Sequence, residues 1–285
     1  MRSHMKDPSK PDRRPLTQKP GEDPAESGFS SASESPAMRE TLLTIERIAQ
    51  GELNAMIIGE YGTGKEWAAR ELHRLSKHSS GPFIVVDCAA ISPEEAETVL
   101  FGREVLEGGI VEIRKGELEE AAGGTILLND IDTLPQHTQV RVARMIETGL
   151  LRRTGGEDEI PVNARVVAAL HENGGNPPET EKLRQELYYR ISPVLMRIPP
   201  LRERKEDIPR LVETFLLQFA AQEASAGVPG ISKEALELCK AFDWPGNVRH
   251  LKSAIEYAYV MSAGETIIPA HLPPYLTQKR EPAEG

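Results

Sequence analysis

Residues 59–66, "GEYGTGKE", decide how the rest of the chain is read. They follow the apolar run "NAMIIG" (residues 54–59) and open a helical pattern at Lys65. That strand, loop and helix setting is what gives a Gly-x-x-x-x-Gly-Lys spacing its chemistry. Gly62 and Gly64 let the backbone point N–H groups inward at phosphate, the helix N-terminus adds partial positive charge, and Lys65 reaches the terminal phosphate oxygens. A glycine turn with an incidental lysine would need neither flank. The stretch Gly59, Glu60, Tyr61, Gly62, Thr63, Gly64, Lys65 and Glu66 is therefore expected to hold a nucleotide, with Glu66 standing where the general pattern has Ser or Thr for magnesium.

Outward from this loop, apolar runs alternate with helical patterns. A helical pattern from Ala37 to Gln50 precedes "NAMIIG"; after Lys65 come "PFIVVD", a helix from Pro93, "GGTILLND", a helix from His137, and "ARVVAAL". Strands alternating with helices imply an α/β fold, a parallel sheet sandwiched by helices. After "MRIPPL" the strands stop, and helical stretches at 209–224, 232–242 and 247–262 indicate a small all-helical domain. The expected division is a nucleotide-binding domain at 37–208 and a helical domain at 209–277. Residues 1–36 and 278–285 are expected to be disordered tails, because Pro, Ser and charged residues dominate them and little apolar surface is available to offset ordering.

Composition narrows the function classes. The chain has 285 residues, 39% hydrophobic and 27% charged, with a formal net charge of −10. No broad basic surface exists to hold a polyanion by counterion release, although a local basic patch stays open. Cys88 and Cys239 stand far apart, without histidines at ligand spacing, which argues against a disulfide framework or a zinc site. The start lacks an apolar leader and no stretch has the length of a bilayer span, so a cytoplasmic protein without a membrane role is expected.

The chain resembles the AAA+ ATPase domain of bacterial sigma-54-dependent transcription activators. The resemblance covers residues 37–277 and rests on "GEYGTGKE" with its final Glu, "FIVVDCAAI", "LYYRIS", "RIPPLRERKEDIP" and "DWPGNVRHL", in order and at matching spacing. It implies an AAA+ fold with a helical lid, ATP and Mg2+ as cofactors, self-association into a ring or mixed AAA+ complex, and sigma-54 RNA polymerase as partner. It also assigns roles. Arg184 and Arg190, in "LRQELYYR", match the arginines that reach the γ-phosphate held by a neighbouring subunit, a task suited to the guanidinium fork. Arg249 matches the lid arginine that senses nucleotide within its own subunit, whereas Trp244 and Pro245 are read as packing and turning residues.

The departures concentrate on hydrolysis. The family ends the "GGTILLND" strand in Asp-Glu, the Asp supporting magnesium and the Glu polarising the attacking water. Here the pair is Asn129-Asp130: the Asn keeps an oxygen for water-mediated Mg2+ contact without the charge, and the Asp is a methylene short. A second register, Asp130 toward magnesium and Asp132 toward water, is open but less favoured by strand alternation. Asp87 stands where the family has the Asn that restrains the catalytic Glu, and Leu170-His171 where it has Thr-Asn, whose Asn senses the γ-phosphate; His171 keeps a hydrogen-bonding group there.

Between "LFGRE" and "RKGELEEAAGG" the family's Gly-Ala-Phe-Thr-Gly-Ala loop, which touches the sigma factor, is replaced by "VLEGGIVEI" (105–113). A plain surface hairpin with a Gly108-Gly109 tip is at least as good a reading as a contact loop. After "AHLPPYL" only "TQKREPAEG" follows, too short for two helices, so no DNA-reading helix pair is expected within this chain. Two functions stay open. One is an ATP-driven activator that remodels sigma-54 polymerase; the other, slightly preferred, is an ATP-binding assembly module with weak hydrolysis.

Overall fold

The computed structural model describes residues 35–107, 110–172, 182–223 and 227–277. In chain order these form α1 (Pro36–Ala49), β1 (Ala55–Gly59), α2 (Lys65–Arg74), β2 (Phe83–Asp87), α3 (Ala96–Phe101), β3 (Arg103–Glu107), β4 (Ile110–Arg114), α4 (Glu117–Glu120) and β5 (Thr125–Asn129). Then follow α5 (Gln136–Thr148), β6 (Leu150–Arg152), β7 (Glu159–Pro161), β8 (Arg165–His171), α6 (Gln185–Ile191) and β9 (Leu195–Arg197). The C-terminal helices are α7 (Ile208–Gln222), α8 (Lys233–Ala241), α9 (Asn247–Ser262) and α10 (Pro274–Thr277).

Five strands build one parallel sheet in the order β2-β5-β8-β1-β9. Its central strands are apolar on both faces because each face is covered. Alternation sorts their side chains: Met56, Ile126, Leu128, Val166, Ala168 and Leu170 join one buried cluster, and Ala55, Ile57, Leu127, Val167 and Ala169 join another on the opposite face. A third cluster gathers the helices after β9, with Phe215, Trp244, Leu251 and Ile255 among its members. The α/β sandwich with a helical lid expected from the sequence is the architecture observed.

Buried polar residues fix the frame. Arg165, 2% exposed, spends its guanidinium on the C-terminal end of α1, donating to the carbonyls of Ile48, Ala49 and Leu53. Ile48 and Ala49 close α1 and Leu53 lies in the loop after it, a carbonyl-rich helix end that a cation suits. Asn54 accepts from the Val166 N–H at 3.0 Å, tying the entry of β1 to β8. Trp244 is fully buried and donates its indole N–H to the Cys239 carbonyl at 2.7 Å, so it packs the lid as read.

Several boundaries shift. The tail read as 1–36 ends earlier: the Ser35 hydroxyl caps α1 by accepting from the Met38 N–H, and the Ser35 N–H donates to Asp207. The helix expected from Pro93 starts at Ala96. Residues 103–114 form an antiparallel hairpin, with Leu106 opposite Val111. Its Gly108-Gly109 tip, like the tails at 1–34 and 278–285, lies outside the described residues. No described helix is long and apolar enough to cross a membrane.

Candidate functional site

The sheet brings the singled-out residues to one edge. Register pairs Asp87 with Asn129, Asn129 with Ala169, and Gly59 with His171, so the carboxyl ends of β2, β5, β8 and β1 stand side by side. Ligands of open α/β sheets sit outside these ends. The phosphate loop leaves β1 there. Gly62 and Gly64 take φ values of 73° and 101°, a left-handed backbone that only glycine adopts without strain. Gly64 precedes α2 without any side-chain cap, so the first N–H groups of α2 face the loop.

Lys65 is held inside its own loop: Nζ donates to the carbonyls of Gly59 at 2.8 Å and Glu60 at 3.1 Å. Burial pushes its pKa down, Asp130 pulls it up and Arg249 pushes it down again. Asp130 and Arg249 are therefore both within electrostatic reach of the amine. Thr63 is fully buried, its hydroxyl donating to the Glu60 carbonyl at 2.8 Å, while its own carbonyl accepts from the buried Arg204 at 2.6 Å. Arg204 is desolvated enough to bring its pKa down to about 10. Glu66 pairs with Arg70 one turn along α2.

Two loop residues do something the sequence did not announce. The Glu60 carboxylate faces away from a phosphate position and is clasped by Arg202 at 2.7 and 2.8 Å, with a third bond from Asn247 at 3.1 Å. Arg202 accordingly holds Glu60 below the usual carboxylate range, against the upward push of burial. Glu60 contributes backbone, not side chain, to the cradle. The Tyr61 ring stacks on His171 with centroids 3.7 Å apart, and Lys65 Nζ lies 5.5 Å from the same ring. Tyr61 thus stands beside both His171 and the lysine. Arg202 and Asn247 lay within quoted motifs, and the Asn after a glycine at a helix start was the available signal.

At the end of β5 the backbone changes hand. Asn129 closes the strand, Asp130 takes φ 49°, ψ 47°, and a 3-10 turn covers Ile131–Thr133. The alternation argument used to weigh Asp132 therefore fails, because no extended strand continues beyond Asn129. Asp fits this position better than Glu, since short polar side chains tolerate the left-handed region. Burial raises the Asp130 pKa, Lys65 lowers it, and Asp132 and Asp87 raise it again. Three carboxylates and the loop lysine thus converge electrostatically at this end of the sheet.

Arg184 and Arg190 lie on the segment that carries α6. Gln139 of α5, fully buried, accepts from the Arg184 N–H at 2.8 Å and donates to the carbonyls of Leu134 and Lys182. Arg184 presents its exposed side chain at the first turn of α6. Arg190 pairs with Glu147 at 3.0 Å and Glu186 at 3.4 Å. Neither guanidinium bonds to the phosphate loop among the described residues. Arg249 begins α9, its N–H 3.4 Å from the Gly62 carbonyl, with an exposed side chain.

A parallel sheet in this order, a glycine loop with a half-buried lysine at the end of β1, and a helical lid touching that loop define an AAA+ P-loop nucleotide-binding fold. The chain belongs to the Sigma-54 interaction domain family, whose pattern matches residues 31–197; that of the AAA+ ATPase lid domain matches residues 202–285. It is 37% identical over 265 residues to the transcriptional regulatory protein ZraR of Klebsiella oxytoca, covering 92% of this chain and 59% of that protein. It is also 37% identical over 252 residues to the DNA-binding transcriptional regulator NtrC of Salmonella typhimurium, covering 87% of this chain and 53% of that one. The chain thus spans a little over half the length of these curated relatives. A crystal structure of NtrX from Brucella abortus in complex with ATP superposes with a TM-score of 0.77 at 33% identity, covering 89% of this chain and 57% of that one.

Proposed function

We propose that this chain is an ATP-binding AAA+ module of the sigma-54-activator type, acting in regulation of transcription with nucleotide-dependent assembly and weak hydrolysis. The observation that carries the reading is the contrast within one site. The phosphate loop is fully built, with Lys65 poised on the Gly59 and Glu60 carbonyls, while the strand end offers Asn129 and a left-handed Asp130. ATP fits this loop: its phosphates would take the N–H groups of residues 62–66 and the Lys65 amine, with Arg249 arriving from the lid. Residues 37–208 would serve as the nucleotide-binding part and 209–277 as the lid, although the lid's apolar cluster already takes in Leu201 and Ile208.

Magnesium also fits. Asp132 and Asp87 both push the Asp130 pKa up at the strand end, a charge that a divalent cation would relieve; no three ligating side chains gather into a metal site among the described residues, so the ion would rest mainly on phosphate and water oxygens. Asn129 and Asp130 would hold it through water, and the bound ion would neutralise charge on phosphate oxygens. Arg184 and Arg190 would reach a γ-phosphate on a neighbouring copy, so ATP would favour assembly into a ring or a mixed AAA+ complex.

A second reading, a fully active ATPase that remodels sigma-54 RNA polymerase, is favoured by one feature: Asp130 is a carboxyl with a raised pKa beside Lys65, as a general base would be. ATP affinity by calorimetry and steady-state phosphate release on one sample, with and without magnesium, separates the two. Binding with slow release supports the module; brisk release supports the second reading; no binding defeats both.

A further inference from the structure

The lid helix α9 has no capping side chain of its own, since Gly246 occupies its N-cap. Its first donors are bonded all the same. The Val248 N–H donates to the Gly62 carbonyl at 2.9 Å, and the Arg249 N–H approaches the same oxygen at 3.4 Å. Asn247 is fully buried and left-handed at φ 52°, a backbone that Asn accepts readily. Its amide donates to the Glu60 carboxylate at 3.1 Å and to the Tyr61 carbonyl at 2.9 Å, while its oxygen accepts from the Leu201 N–H at 2.7 Å. Glu60, Tyr61 and Gly62 thus each accept from the first residues of α9. The fit is close: a Cβ on Gly62 would meet the Gly246 carbonyl oxygen at 2.4 Å and the Arg249 Cβ at 3.0 Å.

A buried seat made of an amide, a carboxylate and backbone carbonyls is unlike an apolar contact. Each group must be paired or bear its desolvation penalty, so a small change in loop shape disturbs several bonds together. The lid therefore follows the loop closely or not at all.

We propose that Asn247 is a positioning residue that clamps the lid to the phosphate loop, so that nucleotide held by the loop is transmitted through loop backbone to α9 and sets where Arg249 stands. The inference rests on the reading that this loop binds ATP. Arg202 supports it from the other side, because its grip on Glu60 fixes the carboxylate that Asn247 must meet.

The test is Asn247→Asp in the full chain. Aspartate keeps the left-handed tolerance and the acceptor for Leu201 but replaces the donor with an acceptor facing Glu60. In the parent, ATP should raise hydrogen-exchange protection at Val248 and Arg249. N247D should bind ATP about tenfold more weakly, as expected for losing a hydrogen bond to a charged group, and lose that ATP-dependent protection. The double variant E60Q/N247D returns a donor opposite the new carboxylate and should recover affinity and protection relative to N247D. Parental affinity and protection in N247D would overturn the clamp, as would a folded, ATP-binding double variant without recovered protection. A parent that binds no ATP defeats the nucleotide reading alone. The clamp is then judged on nucleotide-free protection at Val248, which N247D must lower.

Discussion

The phosphate loop and the end of β5, whose Asp130 acts on Lys65 through its charge, are built in opposite ways. The loop is made of backbone: positive-φ glycines, uncapped N–H groups and carbonyls, each held by a neighbour such as Arg204 on Thr63 or Val248 on Gly62. The end of β5 depends on side chains, Asn129 and Asp130, with His171 at the end of neighbouring β8, at positions where the resembled family uses other residues. Binding built from backbone survives sequence drift so long as the glycines remain. Hydrolysis depends on a closely placed carboxylate, so under the proposed reading a missing methylene or charge would slow it.

The largest effect that would break this contrast comes from Lys65→Ala. If the loop is the binding element, the variant loses ATP affinity by about 100-fold or more in calorimetric titration, the loss expected when a half-buried charge-assisted contact disappears. An unchanged affinity would mean that the loop geometry is idle.

Next in size, the paired change Asn129→Asp with Asp130→Glu tests the other side. It restores charge beside the metal position and reach toward water, and phosphate release should rise by about tenfold. The gain is held down because Glu must enter the left-handed backbone of Asp130, and because Asp87 and His171 are untouched. No rise, with ATP binding intact, would move the defect to those two residues.

Arg184→Ala and Arg190→Ala sharpen the contrast by asking whether binding reaches a neighbour. Light scattering at fixed concentration should show ATP-promoted association in the parent and a several-fold weaker response in either variant. Arg190 should matter less, since its release from Glu147 and Glu186 offsets part of any new contact.

The smallest effect concerns pH. Asp130 has a folded-state pKa raised above its ordinary 3.8, so its ionised form is disfavoured by folding. Stability from this group is full below the ordinary pKa and is lost as pH rises through the folded one. Asp130→Asn, which keeps the left-handed tolerance, should therefore raise the melting temperature slightly at neutral pH without magnesium, and the gain should vanish in acid below 3.8. A gain persisting in acid would assign the effect to packing.

Much of this was legible in the sequence because it was periodic or glycine-bound. "ILL" and "VVAAL", though without a period of their own, read as buried strands because turns bound them and helical patterns alternate with them, and Gly62 and Gly64 announced the turn. What stayed hidden was not periodic. Asp130 leaves the strand by a single left-handed residue, which no alternation pattern records. Glu60 looked like part of a phosphate cradle, yet its carboxylate partners, Arg202 and Asn247, lie 142 and 187 residues away. Short strands such as β9 carry too few residues to show a period.

The sheet order has a consequence for how the protein is made. Strand β1 lies between β8 and β9, and Ala55 pairs with Val167. On a ribosome, β1 therefore emerges with neither strand neighbour in existence: α1 and α2 can cover the Ile57 face early, but both hydrogen-bonding edges and the Met56 face wait for later chain, and β8 lies more than a hundred residues on. At roughly 5–20 residues per second this interval is on the order of ten seconds. An N-terminal fragment stopped before β8 would hold β1 with both edges open, and aggregation or chaperone capture is its expected fate.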